Sequence, residues 1–237
     1  MASTSKIVLV AGGTGGLGRA VSLAFLEQGD RVIVPYRKQE DLNTLKKLAA
    51  DKASRLDSHE VDVTDEAHVD KLVEGIVARH GRLDVMVNAV GGYAGGAKLW
   101  EMNIKVFDQM LAMNLRVGFL LSRAAAKAMI KHGSGAIVNV ASKAALQHEA
   151  GASAYAASKA AAVAMMDCLA EELKGTGILV NSVLPSIFDT DANRKAMPKA
   201  DFAKWPKPED IARVIVFLCG DDGKLIHGAA IPVFGNN

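Results

Sequence analysis

The sequence predicts a doubly wound α/β fold: a mostly parallel, seven-stranded sheet with helices on both faces. Three observations predict it. Short Val/Ile/Leu runs alternate with long helical patterns, the order that builds βαβ units. The strand candidates read as continuous apolar runs, as strands buried on both faces do. The first of them ends in a glycine-rich turn that opens into a helical pattern.

The strands are expected at Ile7–Ala11, Arg31–Pro35, His59–Val63, Leu83–Asn88, Ala136–Val140, Leu179–Val183 and Ala230–Val233. Helical patterns fill the intervals at Leu17–Gln28, Glu40–Ala53, Asp65–His80, Ile104–Lys131, Ala154–Lys174 and Pro208–Cys219. Two stretches fit neither pattern. One is Val90-Gly-Gly-Tyr-Ala-Gly-Gly-Ala97. The other is Pro185 to Lys207, with Met197-Pro198, Trp205-Pro206 and Pro208 at or near its end. Long loops in compact folds are usually lids or disordered segments. Both stretches follow strand C-termini, where open α/β sheets bind ligands.

Composition bounds the partners. The chain has 237 residues, half of them apolar, enough for one buried core and one domain over residues 1–237. Its net charge is +2 with scattered Lys and Arg, so no nucleic-acid footprint is expected. Cys168 and Cys219 lie in apolar stretches and read as buried free thiols. The apolar run Ile7–Ala11 is too short for a signal-peptide core, and no run approaches the ~18 residues of a membrane span. A cytoplasmic protein without a membrane partner is expected.

Ala11-Gly-Gly-Thr-Gly-Gly-Leu-Gly18 lies between the first strand and the first helix. Gly13, Gly15 and Gly18 fit G-x-G-x-x-G, while Gly12, Gly16 and Gly18 fit G-x-x-x-G-x-G. In either reading, missing side chains let backbone amides approach a pyrophosphate at a helix N-terminus. Residues 1–90 would then mainly bind a dinucleotide, and residues 91–237 would carry catalysis and a substrate lid. The second strand runs into Tyr36-Arg37-Lys38, with no acid before Glu40 to bind a ribose diol. Arg37 is suited to a 2′-phosphate instead, which favours NADP(H) over NAD(H); the alternative is an ordinary solvated charge. Asp62 is placed to bond an adenine amino group or to cap the following helix.

Tyr155 and Lys159 stand four residues apart on a predicted helix, so they share a face. A phenol titrates near ~10, and an adjacent ammonium favours its ionised form. The pair therefore suggests proton transfer to and from a substrate oxygen.

With these residues the chain resembles the short-chain dehydrogenase/reductase family over essentially its full length. The glycine loop matches at Gly12, Gly16 and Gly18, and Asn88-Ala89-Val90-Gly91 matches imperfectly the family's Asn-Asn-Ala-Gly. Asn114, Ser142, Tyr155-x-x-x-Lys159 and Pro185-Ser186-Ile-Phe-Asp-Thr190 follow in the family's order. The resemblance implies a Rossmann fold and hydride transfer between a nicotinamide and a carbonyl or secondary alcohol. It assigns Tyr155 as general acid/base and Ser142 as the group that polarises the carbonyl oxygen. It has Lys159 lower the phenol's pKa and hold the nicotinamide ribose, with Asn114 holding a water that reconnects Lys159 to solvent. It implies a cofactor site of Gly12, Gly13, Thr14, Gly15, Gly16, Leu17 and Gly18, with Arg37, Asp62, Val63, Asn88, Gly91, Tyr155, Lys159, Pro185, Ile187 and Thr190. It implies no metal, and a homodimer or homotetramer built through the two long helices. Ala11, Ala89 and Ser186 depart from the pattern without removing a catalytic group.

Two segments, Gly91–Gly96 and Leu184–Trp205, resemble dihydropteridine reductase, a member of the same superfamily. A pterin reductase is therefore one rival function, and a dinucleotide-sensing or scaffold protein without turnover is another. For substrate, Tyr93, Gln147, His148, Phe188 and Trp205 are the candidates. Trp100, Met197 and Phe202 are further candidate pocket walls, although Phe202 and Trp205 serve equally well to pack the lid onto the body.

Overall fold

The computed structural model describes residues 5–235. Seven parallel strands form one sheet in the order β3-β2-β1-β4-β5-β6-β7. They are β1 (Ile7–Ala11), β2 (Arg31–Tyr36), β3 (Leu56–Glu60), β4 (Val85–Asn88), β5 (Gly135–Val140), β6 (Ile178–Pro185) and β7 (Ala229–Val233). The expected mostly parallel sheet is parallel throughout. Strand order reverses between β1 and β4, which makes their C-terminal ends a crevice. There Ala11 lies in register with Asn88, and Asn88 with Asn139.

Alternation along β1 shows how the sheet is buried on both faces. Ile7, Leu9 and Ala11 pack into the layer that includes α3 (Glu66–His80), α5 (Val117–His132) and α6 (Ser153–Glu172). Val8 and Val10 pack into the opposite layer, with α1 (Gly16–Glu27), α2 (Gln39–Ala49) and α8 (Pro208–Leu218). Both side-chain sets are apolar because neither face of the strand meets water.

Four expectations are corrected. The third strand covers Leu56–Glu60, not His59–Val63. It is an edge strand of polar sequence, and Val61-Asp62-Val63 is the turn that leaves it, with Val63 buried and Asp62 exposed. The second helix stops at Ala49, because Ala50 takes the left-handed φ of 49° and a 3₁₀ segment continues to Arg55. Residues Ile104–Lys131 are not one regular helix: α4 (Ile104–Leu111) passes through a π turn at Ala112–Arg116 before α5. Cys219 is buried as expected, but Cys168 is exposed on α6.

The stretch Pro185–Lys207 carries structure of its own, a short α7 (Asp191–Ala196) and a 3₁₀ turn at Phe202–Lys204. The Asp189 carboxylate ties its two ends. It accepts from Arg194 Nη2 at 2.8 Å and from Lys207 Nζ at 2.5 Å, while Asp189 N donates to Pro206 O at 2.9 Å. These two cations hold the carboxyl well below the usual carboxylate range. Among the described residues no helix is long and apolar enough to cross a membrane.

Candidate active site

The glycine turn is shaped by contacts that a Cβ would destroy. At Gly18 a Cβ would lie 2.1 Å from Gly12 O, and at Gly16 one would lie 2.7 Å from the Thr190 methyl. Gly12 has φ +76°, with the Ala89 carbonyl 2.8 Å from where its Cβ would be. Gly15, in contrast, has only Gly12 O at 3.4 Å. The contacts therefore favour the G-x-x-x-G-x-G reading of the turn, with Gly13 as a fourth crowded position against Ser22 Oγ at 2.7 Å. Ser22 Oγ in turn donates to Gly13 O from inside α1.

Gly15 caps α1 without any side-chain bond. The first amides of α1 are thus left for an anion, at the positive end of the helix. A side-chain-free cradle at an uncapped helix N-terminus, in the crevice between β1 and β4, fits a dinucleotide pyrophosphate. Thr190, beside Gly16, caps α7 by accepting from Asn193 N at 3.2 Å. The Pro185–Lys207 stretch therefore passes against this turn.

Past the ends of β2 and β3, Arg37 and Asp62 are exposed. Asp62 accepts from Thr64 N at 2.9 Å and from Thr64 Oγ1 at 2.7 Å, which closes a local turn. Those bonds, with a smaller contribution from Arg37, hold its carboxyl below the ordinary range. The cap of α3 is Asp65, which accepts from His68 N. Lys38 occupies the N-cap of α2 without a side-chain bond.

The polar centre lies at the C-terminal ends of β4 and β5. Asn88 Nδ2 donates to Asn139 Oδ1 at 2.8 Å, and Asn88 Oδ1 accepts from Val90 N at 3.2 Å. This pair ties β4 to β5 where Ala89 supplies no side-chain amide. Ser142 sits in extended backbone just after β5, its Oγ accepting from Ala144 N at 3.2 Å, and its hydroxyl lies near enough to the Tyr155 side chain to favour the ionised phenol. One turn on along α6, Lys159 is 5% exposed and its Nζ donates to Val140 O at 3.0 Å. Asn114, in the π turn, accepts from Gly92 N at 2.9 Å and donates to Gly92 O and Ser158 Oγ, each at 3.0 Å. Ser158 Oγ passes the chain on to Tyr155 O at 2.7 Å. A Cβ on Gly91 would come within 3.1 Å of both Asn114 Oδ1 and Lys159 Nζ, so glycine there lets the backbone close on the pair.

The electrostatics correct one expectation. In the protein alone the Tyr155 phenol lies above its ordinary value, because burial outweighs the opposing influence of the Ser142 hydroxyl and the neighbouring Tyr93 adds to the rise. Lys159 does not reverse this. Its own burial lowers its pKa from 10.5 to about 8, which still leaves it protonated at neutral pH.

The substrate candidates are scattered. Tyr93 is 67% exposed and meets Tyr155 edge-on, with ring centroids 5.0 Å apart. Gln147 and His148 are exposed, and His148 Nδ1 lies 3.1 Å from Ala144 O. Phe188 packs against the α1/α8 core layer. Trp205 is buried against Phe202, with ring centroids 5.0 Å apart. Trp100 is 77% exposed beside Lys98. Sequence reasoning missed Asn139, Ser158 and Gly92, whose roles are contacts to residues 44 or more positions away for the first two and 22 for the third. No local signal marks them.

A parallel sheet with a glycine cradle at its switch point, and a Ser-Tyr-Lys group one strand further on, defines a dinucleotide-binding oxidoreductase class. The chain belongs to the short-chain dehydrogenase family, whose profile matches residues 6–201. It is 32% identical over 238 residues to 3-oxoacyl-(acyl-carrier-protein) reductase FabG of Thermotoga maritima, covering 97% of this chain and 96% of that one. It is 34% identical over 240 residues to D-threitol dehydrogenase of Mycolicibacterium smegmatis, covering 97% and 92%. Among solved structures, ElxO with NADP bound superposes with a TM-score of 0.92 at 29% identity, over 98% of each chain. A variant of the actinorhodin polyketide ketoreductase with NADPH gives 0.89 at 28% identity, over 98% and 96%.

Proposed function

We propose that the protein is an NADP(H)-dependent oxidoreductase that interconverts a carbonyl and a secondary alcohol, with Tyr155 as general acid/base. The observation that carries this reading is the convergence of the Ser142 hydroxyl on the Tyr155 phenol, one helical turn from buried Lys159, at the mouth of the β1/β4 crevice. The names of the relatives, a ketoacyl reductase and a polyol dehydrogenase, support the reaction class. The NADP and NADPH of the two neighbouring structures support the cofactor.

A bound nicotinamide supplies the hydride. The chain supplies the rest. Gly12 to Gly18, with Thr14 and Leu17 among them, would hold the pyrophosphate. Asp62 and Val63 would hold the adenine, and Arg37 a 2′-phosphate. Asn88, Gly91, Pro185, Ile187 and Thr190 would line the nicotinamide half. Ser142 holds the substrate oxygen beside the Tyr155 hydroxyl, and the Tyr155 proton moves to that oxygen during reduction. Charged Lys159 stabilises the phenolate left behind, and Asn114 links this centre through Gly92 to the loop after β4. Residues 1–90 would thus bind cofactor and residues 91–237 do the chemistry, in a cytoplasmic homodimer or homotetramer.

Tyr155→Phe keeps the ring and removes the proton. It is expected to lower turnover by roughly 10²–10⁴-fold while NADPH, followed by its fluorescence, binds within a few-fold of wild type. Near-normal turnover would sink the assignment. The panel should include quinonoid dihydropterin. Preference for it over ketones would favour the pterin reading, and NADPH binding with no substrate turned over would favour a sensing role.

A further inference from the structure

The segment between β4 and α4 is fastened at two points. Asn114 bonds both the amide and the carbonyl of Gly92, and Gly96 N donates to Gly151 O at 2.9 Å. Tyr93, Ala94 and Gly95 span the interval between these fastenings. The Tyr93 ring folds back over this short span, its hydroxyl only 2.2 Å from where a Gly95 Cβ would stand, and its edge meets the Tyr155 ring at an interplanar angle of 76°. The ring is 67% exposed, so little packing holds it there apart from these contacts. Tyr155 is approached by Ser142 from the turn after β5, by Lys159 from its own helix and by Tyr93 from this span. Tyr93 lies in a stretch without regular structure, whereas Lys159 lies in α6 and Ser142 caps a 3₁₀ turn.

We propose that Tyr93 is a gate: in the substrate-free protein its ring covers the Tyr155 hydroxyl, and it must swing off the glycine span before a carbonyl can reach that hydroxyl. The gate rests on the reading of Tyr155 as proton donor. It assigns Tyr93 a positioning role, acting through Tyr155, beyond lining a substrate pocket. Glycine at position 95 leaves the ring its place, since a Cβ there would stand 2.2 Å from the Tyr93 hydroxyl and displace it. The covered state is also the one in which Tyr93 helps to keep the phenol protonated.

The test needs no substrate. The chain has three tyrosines, Tyr36, Tyr93 and Tyr155, so O-acetylation by N-acetylimidazole can be followed at each by peptide mass mapping, with Tyr36 as internal reference. Tyr93→Ala removes the cover, and Gly95→Ala expels it with the ring intact. Both should acetylate Tyr155 about tenfold faster than wild type, since a dominant closed state leaves roughly a tenth or less of the molecules open. Tyr93→Phe keeps the ring and should match wild type. An unchanged Tyr155 rate in Gly95→Ala overturns the gate, as does an unchanged rate in Tyr93→Ala. If Tyr93→Ala loosens the fold, Tyr36 will speed up with it and Gly95→Ala decides alone. NADPH binding measured on the same proteins separates the two ideas: loss of binding in wild type itself sinks the proposed function, whereas equal acetylation with intact binding sinks the gate alone.

Discussion

Lys159 shows how a residue read from spacing acquires its properties from burial. Spacing put an ammonium near a phenol, but the folded protein encloses the amine and aims it at the Val140 carbonyl. Its pKa falls from 10.5 to about 8, so between those values the unfolded chain binds more protons than the folded one. Stability from this group is therefore present in full above the unfolded pKa and is lost as pH falls through about 8. Measured by urea unfolding without cofactor, wild type should gain about 2 kcal/mol relative to Lys159→Met between pH 8 and pH 9.5. A constant difference would show that the amine is solvated. Arg37 is the opposite case, an exposed cation whose value lies in what it could meet. Arg37→Asp should weaken NADPH binding by roughly tenfold to a hundredfold, the usual loss of a charge-assisted hydrogen bond, and shift preference toward NADH. Equal losses for both cofactors would remove the 2′-phosphate from the argument.

At the scale of elements, the glycine turn separates positions that look alike in sequence. Gly15 and Gly18 both fit a dinucleotide motif, yet a Cβ at Gly18 strikes Gly12 O at 2.1 Å while one at Gly15 lies at 3.4 Å. Gly18→Ala must therefore open the turn from α1 and should lose NADPH binding by at least about tenfold, with a drop in stability of roughly 1–3 kcal/mol typical of overpacking. Gly15→Ala should stay within a few-fold of wild type in the same fluorescence titration. A reversed order would mean that the other parsing is right. The elements are legible where an apolar period repeats: six of the seven expected strands overlap their observed counterparts closely, the exception being the expected strand that held Asp62 and Val63. The edge strand β3 was misplaced because its residues are Leu-Asp-Ser-His-Glu, with half-exposed side chains and no apolar run to mark them. The π turn at Ala112–Arg116 leaves no trace in the periodicity, since it shifts one hydrogen-bond register without changing residue type.

The whole molecule is two apolar layers sharing one sheet. Leu9 in β1 is fully buried, in the layer with α3, α5 and α6. Leu9→Ala should cost about 2–5 kcal/mol. Circular dichroism and tryptophan fluorescence, which reports in part on buried Trp205 in the Pro185–Lys207 stretch, should show coincident urea midpoints displaced together. Separate midpoints would mean that this stretch unfolds on its own. The sequence by itself determined the parallel sheet and singled out the glycine turn and the Tyr155/Lys159 pair, because apolar period and residue type at fixed spacing are local properties, while the family resemblance added Asn114 and the role of Ser142 as candidates. Only the tertiary structure decided which glycines are sterically required, that Asn139 and Ser158 complete the polar centre, and that the Tyr155 phenol is raised rather than lowered. Those outcomes depend on distances and burial between segments far apart in the chain, which neither composition nor spacing encodes.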